Sequence, residues 1–184
     1  MALRRRPGLT YTAQDVARFC EVDLKTVHHW ADRGRVPHFR TEGRHLRFRR
    51  NDVVRFLRSH GYPLPDVVTS VRPRVFCAIA NDELGKKLAS RFTVRRFDHG
   101  VQAVAHLLEA EPDALVLSLA DPTVGGIAAF VALKSDPATA WIALAVIAEA
   151  HVLMAAKDAG ADVAVPLDDA ARLPAELGRF LAAS

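Results

Sequence analysis

Hydrophobic residues follow two different rhythms along the chain. Before residue 60 they come in small clusters three or four positions apart, with polar and basic residues between them. After residue 73 they come in short unbroken runs that alternate with amphipathic stretches. The first rhythm predicts short helices. Thr12 suits a helix N-cap, with Gln14 and Asp15 in the first turn and Val16, Ala17, Phe19 and Cys20 as the apolar face. Asp23 suits the cap of a second helix whose inward side reads Leu24, Val27, Trp30 and Ala31, and Gly34 suits its C-terminal end. Two short helices across a tight turn form a helix-turn-helix pattern. Val36–Phe39, a turn over Arg40–His45 with Gly43 at its tip, and Leu46–Phe48 then predict a β-hairpin, or wing. Asn51 or Asp52 is expected to cap a third helix with Val53, Val54, Phe56 and Leu57 on its apolar side.

The segment Ser59–Pro73 carries three prolines and a glycine without helical period, so it reads as linker. Beyond it, strand-like Val75–Ala80, Thr93–Phe97, Ala114–Leu119, Ile142–Ala148 and Val163–Val165 alternate with helix-like Asp82–Arg91, Gly100–Ala110, Gly126–Lys134, His151–Ala159 and Ala170–Leu181. Such alternation predicts a parallel sheet covered on both faces. The expected architecture has two domains. An α+β winged helix-turn-helix spans residues 1–60, a linker 61–73, and an α/β flavodoxin-like (receiver-like) five-stranded parallel sheet 74–184.

Charge separates the same two parts. Up to Arg72 there are 15 Lys and Arg against 7 Asp and Glu; from Pro73 the balance is 10 against 14. A basic half points to nucleic acid. With the apolar side of the second helix turned inward, Lys25, Thr26, His28, His29 and Arg33 face outward and can donate to phosphates or base edges. Basic Arg35, Arg40, Arg44, Arg47, Arg49 and Arg50 flank both arms of the wing; of these Arg35, Arg40, Arg44 and Arg47, with Thr12, Thr41 and His45, complete the candidate DNA-binding residues. The histidines have no acidic or cysteine partner at ligand spacing, so neither a metal nor a cofactor is expected. Cys20 and Cys77 sit in apolar contexts in different halves, as small buried side chains do. The opening MALRRRPG lacks the apolar core of a secretory signal, and no apolar run reaches membrane-spanning length, so a cytoplasmic, nucleoid-associated location is expected.

These residues carry a resemblance. Thr12-Ala13-Gln14-Asp15-Val16-Ala17, Asp23-Leu24-Lys25-Thr26-Val27-His28-His29-Trp30, Arg40-Thr41-Glu42-Gly43-Arg44-His45-Leu46-Arg47-Phe48 and Asp52-Val53-Val54-Arg55-Phe56 follow in the order and spacing of a known domain type. Tyr11–Leu57 resembles the excisionase/MerR-type winged helix-turn-helix, including the short BldC-like regulators. The resemblance implies that the helix from Asp23 to Arg33 enters the major groove with the Gly43 wing beside it. Leu46 departs from the pattern, which often has a basic residue there.

The second half resembles the receiver domain of bacterial response regulators, through Pro112-Asp113-Ala114-Leu115-Val116-Leu117, Pro122, Gly126 and Gly160-Ala161-Asp162. Its phosphotransfer residues are missing. Ser118 stands at the phosphoacceptor position, Ala148 at the hydroxyl position and Val165 at the lysine position, and at most Asp82 or Glu83 remains of the acidic pair. Asp121 falls three residues late. Arg95-Arg96-Phe97-Asp98 resembles the R-x-x-D element of some cyclic dinucleotide sites.

The function that fits is a sequence-specific DNA-binding transcription regulator, not an enzyme. Its pseudo-receiver would serve dimerisation, partner docking or ligand sensing, with Trp141–Ala150 and Ala170–Ala183 as candidate surfaces. Its expected partners are double-stranded DNA and, through the receiver-like domain, a second copy or another protein. An architectural, excisionase-like DNA-bending protein and a protein–protein adaptor stay open as alternatives.

Overall fold

The computed structural model describes residues 10–69 and 71–183, in two compact units that divide between Val71 and Arg72. The basic Arg4, Arg5 and Arg6, and the rest of the N-terminal segment judged not to be a secretory signal, lie outside the described residues.

In the first unit the chain runs β1 (Thr10–Thr12), α1 (Ala13–Cys20), α2 (Leu24–Asp32), β2 (Phe39–Arg40), β3 (Leu46–Arg49), α3 (Arg50–Ser59) and α4 (Asp66–Thr69). The wing is a three-stranded antiparallel sheet of order β1-β3-β2. Strand β1 has no sequence signature of its own. Its Tyr11 pairs with Phe48 in the ladder and stacks edge-on against Phe19, so tertiary contact makes it a strand. Val16, Val27, Val36, Phe48, Val53 and Leu57 are fully buried at the centre, and Trp30 packs on Phe56 at 5.0 Å between ring centroids.

Three expectations for this unit need correction. Segment 61–73 is not plain linker: α4 lies within it, and Val68 is buried in the core with Tyr62 and Leu64 packed alongside. Tyr11 Oη donates to the Val67 carbonyl, and the Arg50 guanidinium to that of Val68, at 3.3 and 2.9 Å. Val68 closes a core that three small helices leave open. Neither Asn51 nor Asp52 caps α3. Strand β3 runs straight into the helix, Arg49 takes the cap position, and both polar residues are buried in the first turn. Leu24, expected inward, is 47 % exposed.

The second unit contains β4 (Arg74–Ala78), α5 (Asp82–Arg91), β5 (Thr93–Arg96), α6 (Gly100–Ala105), α7 (Leu107–Ala110), β6 (Ala114–Ser118), α8 (Gly126–Ser135), β7 (Ala143–Ala148), α9 (Leu153–Asp158), β8 (Val163–Pro166) and α10 (Leu173–Ala183). The five strands are all parallel, in the order β5-β4-β6-β7-β8. This is the doubly wound flavodoxin-like sheet, whose C-terminal strand ends form the usual binding edge. One face packs on α5 and α10 through Leu84, Leu88, Leu173 and Leu177. The other packs through Ala103, Leu107, Phe130 and Ala156. Every residue of β7 is buried, so the Ala143–Ala148 part of the Trp141–Ala150 candidate surface is sheet interior. In α10 the apolar Leu173, Leu177 and Leu181 also point into the core.

Lys134 holds one edge of this unit together. Its ammonium pairs with Asp162 and donates to the carbonyls of Ala140 and Ile142. Asp162 also accepts from the Leu144 amide at 2.7 Å. Gly160, at φ 103, leaves room for the lysine stem: a Cβ there would sit 2.7 Å from Lys134 Cγ. Burial pushes the thiols of Cys20 and Cys77 up to about 11, so both stay protonated at neutral pH.

Candidate nucleic-acid interface

An open groove of about 770 Å³ runs between the N-terminal turn of α1, the start of α2 and the wing. Its floor is set by helix capping. Thr12 Oγ accepts from the Asp15 amide at 3.1 Å and donates to Asp15 Oδ2 at 2.7 Å, while Asp15 accepts from the Thr12 amide. This capping box consumes the Thr12 hydroxyl and half of the carboxylate. Arg18 takes the other oxygen at 3.0 Å. The one acid lining the groove is therefore already paired, and the rest of the lining is neutral or basic.

The wing tip is built for display. Arg44 adopts a left-handed backbone, φ 59, and its amide closes the turn on the Thr41 carbonyl at 2.7 Å. Gly43 itself does not need positive φ. A Cβ there would instead press on the His45 ring, at 3.2 Å. Thr41 accepts from the His45 amide through its hydroxyl and donates to the His45 carbonyl through its own amide. Arg40 donates to the Arg44 carbonyl at 3.2 Å and reaches Asp32 of α2 at 3.5 Å, tying wing to helix. The side chains of Arg44 and His45 are left exposed, and Arg47 lies half-buried against the Leu46 carbonyl.

The groove thus gathers Thr12, His28, Arg44, His45 and Arg47 of the candidate set. Lys25 and His29 share the exposed side of α2 with His28, one helical turn apart, and Thr26 is half-buried beside them. Arg33 and Arg35 do not line the groove: Arg33 ends the helix, and Arg35 follows Gly34, whose φ is 66. Thr12, Arg40 and Thr41 are committed to structure. Of the further wing arginines, Arg50 is buried and Arg49 lies over the Phe39 ring at 5.0 Å. Gln14, Arg18 and Leu24 line the groove without having been singled out as contacts. The i, i+4 spacing of Gln14 and Arg18 on the polar side of α1 is the signal that marks them.

The second unit offers a different picture where its strands end. Ser118 closes β6, beside a cavity of about 210 Å³ that also borders Ile147, Ala148, Glu149, Val152 and Leu167. Its Oγ accepts from the Ala120 amide at 3.3 Å. Ala148 and Val165 are buried strand residues. Asp121 does not take the place of a nucleophile. Its carboxylate accepts from the amides of Gly100 and Thr123, each at 2.8 Å, and from the Thr123 hydroxyl. Burial pushes this carboxyl up, but the hydrogen bonds from Thr123 and Gly100 outweigh it and hold it below the ordinary range. Asp82 is bound to Arg96 at 2.6 Å, and Arg95 stacks on Phe97 at 4.9 Å, both beside a second cleft. Among the described residues, no three His, Cys, Asp or Glu side chains converge as a metal site would need.

Residues 10–61 match the family model described as a helix-turn-helix domain. No curated protein matches the chain. Among solved structures, a protein from Chloroflexus aurantiacus J-10-fl described as a response regulator is 18 % identical with a TM-score of 0.52; the match covers 60 % of this chain and 98 % of that one. The receiver domain of a signal-transduction histidine kinase from Syntrophus aciditrophicus is also 18 % identical, TM-score 0.52, over 59 % of this chain and 89 % of its own. A response regulator from Desulfuromonas acetoxidans is 21 % identical, TM-score 0.50, over 60 % and 96 %. At these identities the likeness is one of fold. The chain is a helix-turn-helix domain joined to a receiver-like domain.

Proposed function

We propose that this protein is a sequence-specific DNA-binding transcription regulator whose receiver-like unit has given up phosphotransfer for assembly. The observation that carries the proposal is the groove, where an exposed helix side and a basic wing face the same opening and its single acid is already paired. A duplex brings phosphates to the wing and base edges to α2 in that geometry. Lys25, His28 and His29 are the base-edge candidates, and Arg44 and Arg47 the backbone contacts.

The receiver-like unit supplies the second copy. The outward Ala128, Val131 and Ala132 of α8 carry no charge, and the helix's one lysine is turned inward to Asp162. An uncharged patch is self-complementary across a two-fold axis. A single DNA-binding module covers roughly 600–1,000 Å², a footprint that two copies would double. Sedimentation is expected to give a dimer, and Val131→Glu a monomer.

Genome-wide crosslinking of the tagged protein tests the whole proposal. Sharp peaks sharing a motif upstream of genes are the expected result. Broad, motif-poor coverage would replace it with an architectural role, and no enrichment with that of a protein adaptor.

A further inference from the structure

We infer that Leu24 is a thymine-reading residue, contacting the C5-methyl group of one or two thymines in the DNA site. This rests on the DNA-binding function proposed above. Leu24 is the first residue of α2 and is 47 % exposed. The inward side of the helix is made by Val27 and Ala31, both buried, with Trp30 half-buried against Phe56. Leu24 takes no part in that packing. It opens instead into the groove, one turn before His28 and among Gln14, Arg18, Arg44 and Arg47.

The surroundings make its chemistry distinctive. Of the exposed residues of α2, Lys25, His28, His29 and Asp32 are polar, and Leu24 alone is hydrocarbon. A leucine adds nothing to phosphate binding, since it can neither donate a hydrogen bond nor offset charge. In the major groove the base-pair edges present donors, acceptors and one apolar group, the thymine methyl. The first residues of a recognition helix are those that reach base edges. Leu24 has the position to meet that methyl and the surface to desolvate it. Lys25, adjacent, would supply hydrogen bonds to the neighbouring base or phosphate.

The test starts from duplexes selected by the purified full-length protein from a random pool. Each thymine in the selected site is then replaced in turn by deoxyuridine, which deletes the methyl and keeps every Watson–Crick and groove hydrogen bond. Wild-type protein is expected to lose about fourfold in affinity at one or two adjacent positions, the worth of one buried methyl group. Leu24→Ala is expected to bind thymine and deoxyuridine equally at those positions while keeping its other base preferences. Because Leu24 is exposed, this variant should keep the wild-type circular dichroism and melting temperature. If the protein selects a site but no thymine responds, or if Leu24→Ala responds as wild type does, the assignment of Leu24 is overturned and DNA binding stands. If no sequence is enriched from the pool, both fall together.

Discussion

The open groove of the first unit and the strand ends of the second treat their polar groups in opposite ways. In the groove, structural needs are met by a few committed groups, and the remaining donors face solvent. Thr12, Asp15, Arg40 and Thr41 hold the frame, which leaves Lys25, His28, Arg44 and His45 in the open. At the ends of β6, β7 and β8 stand Ser118, Ala148 and Val165, and the nearby carboxylates of Asp82 and Asp121 are bound to neighbours. A fold draws its stability from burial whatever stands at its strand ends, whereas a surface that binds another molecule consists of what is left unburied.

The largest effect should come from testing how much core each unit has to spare. Phe48 and Phe130 are both fully buried, one in each unit. Replacing either by alanine should remove about 3–5 kcal/mol. The first unit is the smaller and has little stability in reserve. Phe48→Ala is expected to unfold it at 37 °C and abolish DNA binding, while Phe130→Ala lowers the melting temperature of a unit that stays folded. Denaturant unfolding followed by circular dichroism measures both. Equal tolerance of the two changes would mean that the small core is more robust than its size implies.

A smaller effect separates the residues on display from those that hold the frame. Lys25→Ala combined with Arg44→Ala leaves every structural hydrogen bond described for the groove in place, because Arg44 takes part in them only through its backbone. Each phosphate contact contributes about 0.9 to the slope of log affinity against log salt. Arg44 is the backbone contact of the pair, so the double variant should show a slope shallower by roughly 1, with unchanged melting. An unaltered slope would remove the wing from the phosphate contacts.

Asp52 refines the contrast from within the first unit, as a carboxylate neither displayed nor fully satisfied. It is 5 % exposed, and one carboxylate oxygen has no hydrogen-bond partner. Burial pushes its carboxyl above the ordinary range, and the charges of Arg49 and Arg55 pull it part of the way back. The folded state therefore binds this proton more tightly than the unfolded chain does. The stability that comes from the neutral acid is present at low pH and is lost as pH rises from the unfolded value through the folded one. Asp52→Asn should match wild type below the carboxylate range and exceed it by about 1 kcal/mol at neutral pH. Lower stability of the asparagine variant at neutral pH would show that the attraction of Arg49 and Arg55 outweighs desolvation.

Sequence patterning reached the elements whose signals are local. The Thr12 cap, the Val27 and Ala31 side of α2 and the all-apolar β7 all state their place in a few neighbouring residues. What it missed depends on partners far along the chain. Strand β1 exists because Tyr11 meets Phe48, and α4 docks because Arg50 and Tyr11 bind its carbonyls. Leu24 misled for a related reason. It stands three residues before Val27, as an inward residue would, but at the first position of α2 its side chain opens into the groove beside the α1 terminus. Helical period assigns a side, and the neighbours then decide whether that side is covered.

The smallest effect expected is none. Incubation with magnesium and a small phosphodonor should leave the intact mass unchanged, and Ser118→Ala should bind DNA as wild type does. The reason lies in the whole strand-end cluster rather than in one residue. Restoring the carboxylate with Ser118→Asp would place a negative charge in a cavity bordered by Glu149 and His151 as well as Ile147, Ala148 and Val152, with Val165 where a lysine would be needed to receive the phosphoryl charge. Magnesium demands several hard oxygens, and Asp82, the nearest acid after β4, is held by Arg96. The Ser118→Asp variant should therefore also stay unphosphorylated, and it should be less stable than wild type because the new charge is poorly solvated. Phosphate incorporation into Ser118→Asp would mean that a single substitution separates this unit from a working receiver. Incorporation into the wild-type protein would place an acceptor in the chain and overturn the proposal that this unit serves assembly alone.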